Sequence, residues 1–158
     1  MKLVEMHFEN SNYFRVCVIK EINDDYFISV QISPYGEYDG CIIQKTKDIG
    51  LIKNKTKYLS KINKIVGNVQ YLTLSSYFDF LNCAFQNNRV VGILSNKEKV
   101  IKYYLVLNFL DEYVTLHNVS DYGEKKKIIE KKIADIKYIE LDSLELKCIE
   151  RLLKLNYE

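Results

Sequence analysis

The chain has 158 residues, 47% of them hydrophobic and 28% charged, a balance that belongs to a folded protein and not to a disordered one. Its 23 basic and 21 acidic residues leave a net charge of +2, so no global field draws it toward nucleic acid or an anionic membrane. No run approaches the ~18 apolar residues of a membrane-spanning helix, and residues 1–14 lack the apolar stretch of a signal peptide, so a cytoplasmic location is expected.

In chain order, "LVEMHFE" (3–9), "YFRVCVIKEI" (13–22) and "YFISVQIS" (26–33) are rich in β-branched and aromatic residues and predict three strands. The acidic pair Asp24-Asp25 suits the hairpin turn between the second and third. After "SPYGEYDG" (33–40), "GCIIQKT" and "GLIK" predict two shorter strands. "TKYLSKINKI" then carries a helical stripe through Leu59, Ile62 and Ile65. A second helix is expected over "SSYFDFLNCAFQNN" (75–88), burying Phe78, Leu81 and Phe85 and ending at Asn87-Asn88, residues that tolerate a left-handed cap. Strands follow at "RVVGILS", "KYYLVLNFL", "EYVTLHNVS", "KKIIEKKI" and "KYIEL". The last element is a helix over "DSLELKCIERLLKL", with Asp142 as N-cap and Glu145 completing a capping box.

The second series repeats the first. Residues 24–65 align without a gap on residues 111–152, an offset of 87, with 13 identities in 42 positions. The identities include Ser33/Ser120, Tyr35/Tyr122, Gly36/Gly123 and Glu37/Glu124, the same turn written twice, in which the glycine would supply a positive φ. The period is too long for a solenoid. The sequence therefore predicts a mainly β protein with flanking helices, built as two tandem five-stranded SH3-like barrels. The first takes residues 1–66 with its C-terminal helix; the second takes 67–158, with a preceding helix (76–86) and a C-terminal one.

The second copy resembles the bacterial Sm-like proteins of the Hfq family: a helix, then "RVVGILSNKEKVIKYYLVLNFLDEYVTLHNVSDYGEKKKIIEKKIADIKYI", follows their order of a helix and five strands. "FRVCVIKEINDDYFISVQIS" in the first copy is similar to the first Sm motif. The whole also looks like small bacterial proteins carrying segments similar to "DDYFISVQISPYGEYDG" (24–40), a likeness that implies no biochemical role. The Sm-like resemblance implies RNA binding. Hfq-like proteins hold uridine with a Lys-His pair on the fourth strand, where this chain reads Glu130-Lys131-Lys132-Ile133 and Ile43-Gln44-Lys45-Thr46. That puts Lys45, Lys131 and Lys132 forward as phosphate contacts, with Tyr58, Tyr71, Tyr103 and Tyr104 available for stacking.

Catalytic signatures do not occur. There is no G-x-x-x-x-G-K-[ST], no G-x-G-x-x-G and no G-x-S-x-G. Cys17, Cys41, Cys83 and Cys148 are scattered, without the clustering that a zinc site or disulfide framework needs, and His7 and His117 are isolated in strand runs. No enzyme activity, cofactor or metal is expected. The leading expectation is a non-enzymatic module that recognises a protein partner, such as an inhibitor- or immunity-type protein of a bacterium or phage. The RNA-binding reading is the alternative. The turn keeps its core residues in both copies, but its second half diverges: Tyr35, Glu37, Tyr38 and Asp39 make the first loop aromatic and acidic, whereas Lys125-Lys126-Lys127 reverse the local charge of the second. Tyr gives large contact area at low entropic cost, so the 35–39 loop is the candidate partner site.

Overall fold

The computed structural model describes residues 1–9, 11–69 and 72–158, so Tyr71 and the middle of the 66–75 join lie outside the described residues. The chain forms two compact units, Met1–Thr73 and Leu74–Glu158.

Unit 1 contains β1 (Val4–Phe8), β2 (Phe14–Ile22), β3 (Tyr26–Ile32), β4 (Tyr38–Lys45), a 3-10 turn (Thr46–Asp48), β5 (Ile49–Lys53) and α1 (Lys57–Ile65). Its strands are antiparallel in the order β5-β1-β2-β3-β4. Alternation along the strands divides the core between two faces. Val4, Met6, Cys17 and Phe27 cluster on one, with Phe8, Ile19 and Ile49 packed at its margin. Leu3, Val16 and Ile32 face the other way and receive Leu59 and Ile62 of α1. Burying those two helix residues contributes ~2 kcal/mol each.

Unit 2 contains α2 (Tyr77–Gln86), β6 (Val90–Ser95), β7 (Lys102–Leu110), β8 (Tyr113–Val119), β9 (Lys125–Lys132), a 3-10 turn (Ile133–Asp135), β10 (Ile136–Leu141) and α3 (Leu144–Tyr157). Its order, β10-β6-β7-β8-β9, is the same as that of unit 1. The helix-facing core, Val90, Val119, Leu146, Ile149 and Leu153, repeats Leu3, Ile32, Leu59, Ile62 and Val66 at the offset of 87. The ladder irregularities repeat as well. β2 slips between Ile19 and Glu21 and β7 between Val106 and Asn108; β3 slips between Val30 and Ile32 and β8 between His117 and Val119. Such bulges bend a strand and increase its twist. The mainly β character and the three helices expected from sequence are present. Among the described residues neither set closes by pairing its first and last strands, so each is a five-stranded antiparallel sheet.

Two local expectations are corrected. The α3 N-cap is Ser143, whose hydroxyl accepts from the Leu146 N–H (3.2 Å). Asp142 instead adopts a left-handed φ of 64°, its carboxylate binds Arg89 and Lys147, and Glu145 accepts from the Tyr103 hydroxyl instead of closing a capping box. The buried face of α2 is Phe80, Leu81 and Ala84. Phe78 and Phe85 are 48% and 40% exposed, flanking Phe109 at ring distances of 5.1 and 5.8 Å, because they lie beside the docking stripe and not on it. The expected left-handed cap is present at Asn88, with φ 51°.

Candidate functional site

The repeated turn is a docking device. Ser33 Oγ accepts from the N–H groups of Tyr35 and Glu37 (3.2 Å each), and Ser120 Oγ does the same for Tyr122 and Glu124 (3.3 and 3.1 Å). Gly36 and Gly123 take φ values of 77° and 74°. Each sits against its own unit's C-terminal helix, Gly36 at the last residue of α1 and Gly123 within α3. A Cβ on Gly36 would lie 2.9 Å from Ile65 O, and one on Gly123 would lie 2.6 Å from Leu152 C, the residue equivalent to Ile65. No side chain fits there. The glycine lets the helix close over the sheet, which is why the turn is written twice.

The same constraint fixes what the turn can present. Tyr35 is 79% exposed while its backbone is held at both ends, and Glu37 is exposed beside it. Tyr38 and Asp39 belong to β4 and are half-buried, and the Tyr38 hydroxyl lies 3.3 Å from Cys41 Sγ. The four proposed partner-site residues therefore separate into a presented pair, Tyr35 and Glu37, and an inset pair, Tyr38 and Asp39.

The lysines of the RNA reading are less available. Lys131 donates to Glu98 and to Ser95 Oγ (2.8 Å), with its ammonium 5.9 Å from the Tyr104 ring centroid. Lys132 pairs with Glu112 at 3.5 Å, and Lys45 is half-buried on β4. Lys131 and Lys132 are adjacent on one strand and so project to opposite faces. The lysine partnership holds the Glu98 carboxyl below its ordinary range against the opposing effect of burial.

Sequence reasoning missed a constellation on unit 1. Glu5 is only 5% exposed, yet its carboxylate accepts from the hydroxyl of Thr56, the N-cap of α1, and its other oxygen lies 3.3 Å from His7 Nε2. His7 stacks on Phe14 (5.2 Å between centroids), and Phe14 meets Tyr58 edge-on at 5.5 Å. His7 is paired in register with both Phe14 and Leu51, so Leu51, His7 and Phe14 form a row across β5, β1 and β2 on one face of the sheet. No hint of it stands in the sequence: in Val4-Glu5-Met6-His7-Phe8 the alternation assigns Glu5 and His7 to the outer face, and only the docking of α1 through Thr56 covers Glu5.

Unit 2 has instead a cleft of about 390 Å³ bordered by Asn87, Arg89, Lys125, Glu150 and Tyr157. Its charges are largely matched internally: Arg89 bonds Glu150 (2.9 Å) and Asp142 (2.6 Å), and the Lys125 ammonium lies 4.7 Å from the Tyr157 ring centroid. Burial pushes the Cys17 thiol up to about 12, which leaves it protonated and unreactive at neutral pH. Among the described residues no three His, Cys, Asp or Glu side chains cluster as metal ligands, and no helix is long and apolar enough to cross a membrane. No family model, curated protein or solved structure matches the chain.

Proposed function

We propose that the chain is a non-enzymatic protein-recognition module, each unit a small Sm-like barrel, with recognition carried by the Tyr35 loop of unit 1. The shared strand order and the paired bulges support the barrel reading. The observation that carries recognition is the contrast between a fixed backbone and an exposed ring: the Tyr35 phenol is presented by a turn already ordered by Ser33 and Gly36. Little entropy is then lost when a partner packs on it. Glu37 beside it favours a cationic partner side chain. An inhibitor- or immunity-type protein of a bacterial or phage cytoplasm fits such a module.

The test is capture from a lysate of the source organism. One stoichiometric protein should be retained, and Tyr35→Ala should lose it at least tenfold while the fold is kept. Capture of nucleic acid alone, abolished by changing Lys45, Lys131 and Lys132, would put the RNA-binding alternative in its place.

A further inference from the structure

Five lysines, Lys53, Lys55, Lys57, Lys61 and Lys64, run from the end of β5 along α1, and all five are exposed. None forms an ion pair with a described residue. The equivalent stretch of unit 2 carries Glu140, Asp142, Glu145 and Glu150 with Lys147 and Arg151, so the same frame accepts the opposite sign. The fold does not require the lysines.

Beside them lies the row Leu51–His7–Phe14, extended by Tyr58. Leu51, Phe14 and Tyr58 are 52%, 40% and 36% exposed. At the positions of His7, Phe14 and Tyr58 unit 2 has Leu94, Ile101 and Glu145, without a ring. An open hollow of about 510 Å³ adjoins, lined by Asn54, Lys55, Thr56, Lys57, Leu59, Ser60 and Asn63; its lysines, asparagines and Ser60 can donate hydrogen bonds to an anion, whereas the Thr56 hydroxyl is committed to Glu5. Thr56 links hollow and row through its bond to Glu5.

We infer that this face of unit 1 docks an acidic segment of a partner protein, an apolar side chain of the segment seating on Leu51, Phe14 and Tyr58 while flanking carboxylates meet Lys53, Lys55 and Lys57. The inference rests on the reading of the chain as a protein-recognition module and adds a second contact surface of opposite charge to the Tyr35 loop. Charge complementarity selects the acidic occupant. The rings select a peptide over a single nucleic-acid strand. Phe14 spends one face on His7 and meets Tyr58 edge-on, leaving ring edges and the Leu51 side chain, which suit an aliphatic or aromatic anchor better than a stacked base. The helix N-terminus adds no anion site of its own, because Thr56 and the Glu5 carboxylate already occupy it.

The probe is a fluorescein-labelled peptide with one Phe and one Leu between runs of Asp and Glu, titrated against the full chain by anisotropy. Saturable binding is expected, weakening steeply with salt. The charge reversal Lys53→Glu/Lys55→Glu/Lys57→Glu should weaken it at least tenfold, and Phe14→Ala severalfold. Tyr35→Ala should leave the titration unchanged, which separates failure here from failure of the Tyr35 reading. Circular dichroism of each variant guards against unfolding, and Lys137→Glu in unit 2 serves as a charge control without effect. Absence of binding by the acidic peptide, equal binding by the charge-reversed chain, or preference for oligouridylate or phosphatidylserine vesicles over the peptide would overturn the inference.

Discussion

The two units share one frame and fasten their C-terminal helices to it differently. In unit 1 the latch is a buried carboxylate, Glu5, reaching the Thr56 cap. In unit 2 the position of Glu5 is Gly92, and the latch is Arg89, which gathers Asp142 just before α3 and Glu150 within it. The counterparts of those three residues in unit 1 are Lys2, Lys55 and Asn63, which cannot form that network. Glycine, the turn hydroxyl and the apolar stripe are kept because the backbone geometry demands them. The polar latch can be rebuilt because a buried carboxylate needs its hydrogen bonds answered, and a hydroxyl at Thr56 or a guanidinium at Arg89 can each supply them. Rebuilding it frees one unit's helix face for lysines and commits the other's to acids.

The largest effect expected comes from the glycines. Gly123→Ala should destabilise unit 2 by about 4 kcal/mol, the sum of overpacking and a left-handed alanine. Gly36→Ala, whose added Cβ would meet a carbonyl oxygen at 2.9 Å instead of two backbone atoms at 2.6 Å, should cost unit 1 about 2–3 kcal/mol. Urea titration with thiol labelling isolates unit 1, whose Cys17 and Cys41 are buried, while Cys148 of unit 2 is exposed and reacts before unfolding. Circular dichroism of the same titration reports both units, so unit 2 is read as the remainder. Equal losses in both variants would mean that the helices shift away from the added methyl and the close approach is unimportant.

The latches come next. Arg89→Met should cost unit 2 about 2 kcal/mol by leaving Asp142 to Lys147 and Glu150 to the Val90 N–H, whereas Lys2→Met, at the equivalent exposed position, should be neutral. Glu5→Gln should cost unit 1 about 1 kcal/mol, since the amide oxygen can still accept from Thr56. If Arg89→Met proves neutral, the ion network decorates α3 and does not hold it.

An alkaline titration distinguishes the interiors. Cys17 and Tyr104 occupy equivalent positions, and burial raises the thiol from 9.0 and the phenol from 10.0, each to about 12. Both are held neutral in the folded state, so their stabilisation is complete below the unfolded values and lost as pH rises toward 12. Unit 1 should begin to weaken near pH 9 and unit 2 near pH 10. Tyr104→Phe should lessen the decline of unit 2 alone, the remainder coming from Tyr103, whose phenol is also raised by burial and by its bond to Glu145; tyrosinate absorbance and urea midpoints follow it. The smallest effects belong to Tyr35→Ala and Tyr122→Ala, at 79% and 76% exposure, which should each shift stability by less than about 0.5 kcal/mol. A larger loss would show that these rings pack, and would weaken the recognition reading.

Much of the frame was legible because its determinants are local. Turn chemistry placed Ser33, Gly36 and their copies, and alternation placed the strands. The helix stripe placed Leu59 and Ile62, buried as expected, and Ile65, which is 55% exposed. What escaped depends on contacts between distant residues. Asp142 has the chemistry of a cap, and only Arg89, far back in the chain, explains why Ser143 holds that role instead. Tyr38 reads as a loop ring until Cys41 draws its hydroxyl in. The Leu51–His7–Phe14 row arises from the pairing of β5 with β1, which no short window of sequence reveals.

That pairing also has a kinetic consequence. The first four strands of each unit are joined as successive hairpins and can zip locally, whereas β5 must return across nearly the whole unit to reach β1, as when Lys53 meets Glu5. Contacts between residues so far apart close late, because the chain entropy is lost before the contact repays it. Since α1 follows β5, its docking waits on the same event. We predict that in pulse-labelling hydrogen exchange the β2–β4 amides gain protection before those of β5 and α1; simultaneous protection would refute this order. The lysine face on α1 would then be assembled last, so a segment that needs both the Leu51 row and the lysines could not engage a half-folded chain.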